Sequence, residues 1–139
     1  MFKMSRLKVF LPVLALVLIF SCKKQSNGYS NYQGDLPILS VMSPLSVDQH
    51  DTILSNVKCG LTTQGGTVTF LGFNVIQDSL TEFSISAVGY FESVENENAS
   101  PKTWEFNQTV GLVATERKNY ILKFYNGAVL YQRDTIEVK

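Results

Sequence analysis

From Asp35 to the C-terminus, apolar and polar side chains alternate with a period of two, and no window of eleven or more residues carries a period of 3.6. Strand side chains project to opposite faces in turn, whereas helical ones return to a face every three to four residues. The alternation therefore confines this part of the chain to an all-β fold. In Ile53, Ser55, Val57, Cys59 and Leu61 the mainly apolar side chains share one face, with Leu54, Asn56, Lys58 and Gly60 on the other. Cys59 is accordingly expected to point inward.

Turn chemistry divides the rest. Gly65-Gly66 offers positive φ and predicts a hairpin into a strand from Thr67 to Ile76. Asp78-Ser79 opens the next turn, before a strand over Thr81 to Phe91 in which Phe83, Ile85 and Ala87 alternate with Ser84, Ser86 and Val88. The polar stretch Glu92 to Thr103 contains Pro101 and reads as a long loop. Trp104 and Phe106 restart the alternation as far as Val113, which predicts burial of Trp104 between sheets. Tyr120, Leu122 and Phe124 share a face, Asn126-Gly127 predicts a type I′ turn, and Ala128 to Val138 returns. With Pro37 to Val47 as a first strand, about seven antiparallel strands follow at regular spacing, the pattern of a single immunoglobulin-like β-sandwich over residues 35–139.

The run TWEFNQTVGL, then NYILKFYNG and a closing DTIEVK, resembles bacterial immunoglobulin-like domains of envelope proteins over roughly residues 50–139. The resemblance implies the fold and an adhesive or scaffolding role, and it carries over no functional residue. A domain of about 100 residues buries enough surface to fold without cross-links or metal.

The N-terminus is of a different kind. Lys3, Arg6 and Lys8 precede an uncharged, mostly apolar run from Val9 to Phe20, then Ser21 and Cys22. At twelve residues, with Pro12 inside it, the run falls short of the roughly 20 needed to span a bilayer. A signal peptide over residues 1–21 fits instead. Ile19, Phe20, Ser21 and Cys22 resemble the bacterial lipobox, and LIFSCKK is similar to the lipoprotein signals of Bacteroidota. That resemblance implies cleavage before Cys22, diacylglycerol on its thiol and commonly a third acyl chain on the new amino group. Two or more long chains anchor stably, so a membrane is the first expected partner. The segment after Cys22 lacks both an acidic cluster and a directly following Asp. By the same resemblance this favours an outer-membrane lipoprotein facing the periplasm.

Residues 22–34, the lipidated cysteine and a polar stretch rich in Gln, Ser, Asn and Gly, read as a tether, whose end-to-end distance as a coil would be roughly 20 Å. Removing the leader takes Lys3, Arg6 and Lys8 and leaves nine basic against twelve acidic residues, a net charge of −3. The remaining cations are scattered and form no stripe, which argues against nucleic acid as a partner.

Little in the chain points to catalysis. His50, the single histidine, falls in an expected turn with no nucleophile and orienting group assigned to it. Cys59 would be the only free thiol, and one cysteine with one histidine cannot fill a structural zinc site. Glu92, Glu95 and Glu97 share the expected loop but match no calcium-loop spacing. The expected protein is therefore not an enzyme and holds no metal or cofactor.

Of the aromatics, Trp104, Tyr90, Tyr125 and Tyr131 are candidates for a stacking platform. Tyr125 and Tyr131 are the best candidates for an outward binding surface. Asp51-Thr52-Ile53, Asp78-Ser79-Leu80 and Asp134-Thr135-Ile136 resemble O-glycosylation sites of exported Bacteroidota proteins, which would make Thr52, Ser79 and Thr135 sugar acceptors. Asp followed by Ser or Thr also starts turns and strands through side-chain hydrogen bonds, so both readings stand here. The expected role is a membrane-anchored module that binds or holds an unknown envelope protein or glycan. A glycan- or peptide-binding accessory of an uptake system is the alternative, recognisable by an exposed aromatic patch or a concave pocket.

Overall fold

The computed structural model describes residues 29–94 and 98–139. These residues form an all-β sandwich of two packed sheets with no helix. The strands are β1 (Tyr29–Leu36), β2 (Ile38–Met42), β3 (Ser46–Val47), β4 (Thr52–Gln64), β5 (Thr67–Ser79), β6 (Glu82–Val94), β7 (Pro101–Val113), β8 (Tyr120–Asn126) and β9 (Val129–Val138).

One sheet is β2-β4-β7, in which β4 and β7 pair across thirteen consecutive positions. The other is built on β6. One edge of β6 pairs with β5; the other is shared by β1 over residues 87–94 and β8 over residues 82–86, and β9 and β3 follow β8. The β6·β8 and β3·β9 pairings are parallel, where seven antiparallel strands were expected. Between the sheets, Ile53 and Val57 of β4 meet Ile85 and Ala87 of β6 and Leu122 and Phe124 of β8 in one buried core.

Four boundaries differ from the sequence expectation, each for a local reason. The polar stretch after Cys22 does not remain a tether to residue 34, because β1 begins at Tyr29. Its Tyr32 ring stacks on Phe91 at 4.9 Å and Leu36 is buried, so its alternate positions are anchored although the strand is polar overall. Pro37 separates β2 from β1, and Pro44 interrupts the expected Pro37–Val47 strand, leaving β2 and β3 in different sheets. Gly65-Gly66 makes no hairpin: β4 and β5 are unpaired, and the two glycines (φ 77° each) carry the chain from one sheet to the other. A Cβ on Gly66 would lie 1.9 Å from the Glu92 carbonyl oxygen, so the corner is closed to any side chain. The expected loop from Glu92 to Thr103 is shorter, because β6 runs to Val94 and β7 starts at Pro101, a strand's first residue, where a missing N–H is tolerated.

Two side chains also depart from expectation. Trp104 is half-buried at the rim of the core, with its indole N–H donating to Thr63 Oγ1 (3.2 Å) and Lys102 Nζ 3.8 Å above its ring. The last hairpin forms, but its two loop residues are Gly127 and Ala128, with Asn126 opposite Val129. Gly127 alone takes positive φ (59°), the pattern of a type II′ turn and not of type I′. Asn126 is occupied elsewhere, accepting from the Ile38 N–H (2.7 Å) and donating to the Ile38 carbonyl (3.2 Å). It stands in for a strand neighbour just after the chain leaves one sheet for the other.

At the start of β8 the buried Tyr120 hydroxyl accepts from the backbone N–H groups of Thr115 (3.0 Å) and Glu116 (3.2 Å). This is the tyrosine corner of Greek-key sandwiches. Tyr120→Phe removes the shared acceptor of two amides, and the expected cost is about 1–3 kcal/mol, read as a lower denaturation midpoint at unchanged slope. A midpoint within error of the parent would show that water satisfies those amides equally well.

Candidate functional site

The outer face of the β6 sheet carries two adjoining hollows that bring several unpaired polar side chains together. Because Phe83, Ile85, Ala87 and Phe91 of β6 face the core side, Ser84, Ser86, Val88 and Tyr90 face outward and form a floor of mostly small side chains. Register sets what lies beside them. Asn74 of β5, Ser86 and Tyr125 of β8 make one row across the sheet; Gly72, Val88 and Asp35 of β1 make the next; Thr69, Tyr90 and Gln33 make a third. A bulge between Phe70 and Gly72, where Gly72 adopts φ 145°, opens the β5 side.

One hollow, of about 260 Å³, is lined by Asn74, Ile76, Ser84, Ser86 and Tyr125 among others; its neighbour, of about 550 Å³, by Gln33, Leu71, Phe73 and Val88. Asp35 and Asn74 line both, so the two hollows form one shallow groove along β6. At its lower end Ser84 Oγ donates to Asp78 Oδ2 (2.6 Å), and Lys123 Nζ bridges Asp78 (3.4 Å) and Glu82 (2.8 Å). The Ser84 hydrogen bond, helped by Lys123, holds the Asp78 carboxyl below its ordinary range, while the Glu82 hydrogen bond leads in raising Lys123. At neutral pH the lysine is thus charged and already matched by two carboxylates. Further up, Gln33, Asp35, Asn74, Ser86 and Tyr125 have no polar partner among the described residues.

The two tyrosines expected to share a surface are separated. Tyr125 lines the groove, but Tyr131 sits at a bulge of β9 and its hydroxyl donates to the Leu39 carbonyl of the opposite sheet (2.5 Å). It fastens the two sheets together at their open side. Thr52, Ser79 and Thr135 are all exposed. They gather at one pole: Thr135 lies opposite Ile121, whose N–H donates to the Thr81 carbonyl beside Ser79, and Thr52 pairs with Val113 just ahead of the tyrosine corner. Tyr29 pairs with Val94 at the other end of β6.

Their aspartates have internal work as well. Asp134 accepts from Ser43 (2.6 Å) and Gln132 (2.8 Å), and Ser43 is bonded to buried Ser55 across the sandwich (2.8 Å). Together with the Asp78 contacts, this supplies a structural reason for two of the three triplets.

Cys22, Glu95 and Glu97 lie outside the described residues. Glu92 stands on β6 and accepts from the Thr67 hydroxyl (2.7 Å), so it is a strand residue and not the loop ligand considered above. Among the described residues no three His, Cys, Asp or Glu side chains converge. His50 is an exposed turn residue at φ 72°, its N–H donating to the Ala114 carbonyl (2.7 Å). Cys59 is fully buried, its thiol pushed up to about 11 by desolvation, and it stays protonated as a small core residue.

No family model, curated protein or solved structure matches this chain. The groove was half legible beforehand. The alternation of Ser84, Ser86 and Val88 against Phe83, Ile85 and Ala87 marks the floor, and Tyr125 was a candidate; Asp35, Asn74 and Gln33 were missed. They reach the floor only because β1 and β5 flank β6, and no local pattern encodes that neighbourhood.

Proposed function

We propose that this chain is a lipid-anchored lipoprotein of the outer membrane, periplasm-facing, whose sandwich binds or holds an envelope partner and catalyses nothing. The observation that carries the reading is the Ile19-Phe20-Ser21-Cys22 pattern followed, after only residues 23–28, by the start of β1. Six residues and their flanks reach at most about 25 Å, so lipid on Cys22 would hold the β1 end of the sandwich toward the bilayer. The opposite pole, with Thr52, Ser79 and Thr135, would then face away, as accessible acceptors for O-linked sugar. The groove beside Tyr125 favours the second reading, a ligand-binding accessory, over a bare scaffold.

The chain contains two cysteines, so thiol counting together with intact mass tests the anchor. Native protein extracted in detergent should titrate no thiol, and after denaturation only Cys59 should react, one per chain. Its mass should be that of residues 22–139 plus acyl chains, with further hexose increments if the hydroxyls carry sugar. Two reactive thiols, or a mass that retains residues 1–21, would refute the anchor; acyl mass alone would dispose of the glycans.

A further inference from the structure

We infer that the groove on the outer face of the β6 sheet is a binding site for a neutral oligosaccharide chain, an inference that rests on the binding reading above and gives it a ligand class. Backbone pairing limits the ligand first. β6 is hydrogen-bonded to β5 on one side and to β1 and β8 on the other, so the floor offers no free N–H or C=O edge. A peptide recognised by strand addition has nothing to pair with there, and whatever binds must be gripped by side chains.

Those side chains are of one chemical kind. Gln33, Asp35, Asn74, Ser86 and the Tyr125 phenol present amide, carboxylate and hydroxyl groups, and none is engaged within the described residues. Elsewhere on the surface some comparable groups are paired, as in Thr62 with Thr103 (2.9 Å), Thr109 with Asn56 (2.9 Å) and Lys58 with Glu105 (2.8 Å), while others, such as Asn107 and Gln108, are not. An alternating set of donors and acceptors over a floor of small residues matches the vicinal hydroxyls of a sugar ring.

Charge narrows the class further. Asp35 is the one ionisable carboxylate lining the hollows, and Lys123 at the lower end is neutralised by Asp78 and Glu82. Phosphorylated or uronic-acid chains would meet a negative field with no free cation among the lining residues, so the ligand is uncharged. Tyr125, which lines the smaller hollow, adds an aromatic face, and Tyr90 stands just outside both linings. Tyr125 stands in the Ser86 row and Tyr90 lies four residues further along the same face of β6, both half-exposed. Four residues of strand span about 13 Å, the scale of two to three hexose units lying along the sheet.

Full-length protein extracted in detergent is run through native gels containing dextran, mannan, xylan or mixed-linkage β-glucan, with polygalacturonate and hyaluronate as charged counterparts. At least one neutral polymer should retard it, and the charged polymers should not. Tyr125→Ala, which removes the stacking face, and Ser86→Tyr, which fills the floor, should each weaken binding about tenfold or more. Lys58→Ala, on the other sheet, should leave binding unchanged. If Tyr125→Ala proves unfolded by circular dichroism, Asp35→Asn at its exposed position carries the test, with at least a threefold loss expected. Retardation by charged polymers only, by no polymer, or equally in folded groove variants overturns the site. Acyl mass is read on the same sample: lipid present without polysaccharide binding sinks the saccharide site alone, whereas lipid absent with binding intact sinks the anchor and leaves the site standing.

Discussion

Replacing Phe124 with alanine is expected to destabilise the domain by about 3–5 kcal/mol. The ring is fully buried at the middle of β8, opposite Ile85 of β6 on one side and Gln132 of β9 on the other. Truncation forfeits the transfer free energy of the ring and leaves a void. Strands paired on both sides cannot close over that void, so the cavity penalty should be felt nearly in full. A domain of this size is stable by roughly 5–15 kcal/mol, so the variant should remain foldable but sit close to its limit at physiological temperature. Guanidinium unfolding followed by Trp104 fluorescence measures it, with exposed Leu54→Ala as the control expected to cost less than about 1 kcal/mol. A loss below 1 kcal/mol for Phe124→Ala would mean that the core repacks around the gap and is less tightly specified than the burial implies.

Adding one carbon at Gly60 should do nearly as much damage by the opposite route. A Cβ there would lie 2.0 Å from the Trp104 carbonyl oxygen and 3.0 Å from Glu105 Cα, both backbone atoms of the neighbouring strand. No rotamer relieves that overlap. Gly60→Ala must push β7 away from β4, in the sheet where those two strands supply the whole thirteen-position ladder. The expected loss is about 2–4 kcal/mol, above the usual range for overpacking because main chain must move. Gly111, on the same strand pair, is the matched comparison. Its added Cβ would meet only the side-chain atoms Thr52 Cγ2 (3.2 Å) and Leu54 Cδ2 (3.3 Å), which can turn aside. Gly111→Ala should therefore stay within about 1 kcal/mol of the parent. Equal losses at the two glycines would count against the clash and toward a shared effect of removing glycine from a strand.

The two variants probe what was and was not legible before the tertiary structure. Burial of Phe124 follows from its alternation with Lys123 and Tyr125, and that of Cys59 from Val57 and Leu61 two positions either side. The need for glycine at position 60 does not follow, because it depends on how near β7 runs to β4. Tyr125 and Tyr131 show the same division. Both carry an aromatic ring on a terminal hairpin, yet a bulge in β9 turns one toward the Leu39 carbonyl while the other stays over the groove.

Composition and alternation were enough to decide that the chain makes an all-β sandwich and which faces of its long strands are apolar. These depend on the period of side-chain direction and on glycine and proline, which are local properties of the backbone. Which strands lie side by side was decided only by packing. Gly65-Gly66 serves a hairpin or a crossing between sheets equally well, and polar β1 reads as tether until Tyr32 finds Phe91. The rows that place Asp35, Asn74, Ser86 and Tyr125 together are set by long-range register, whose free energy belongs to the buried core on the far side of the sheet and not to the groove residues themselves.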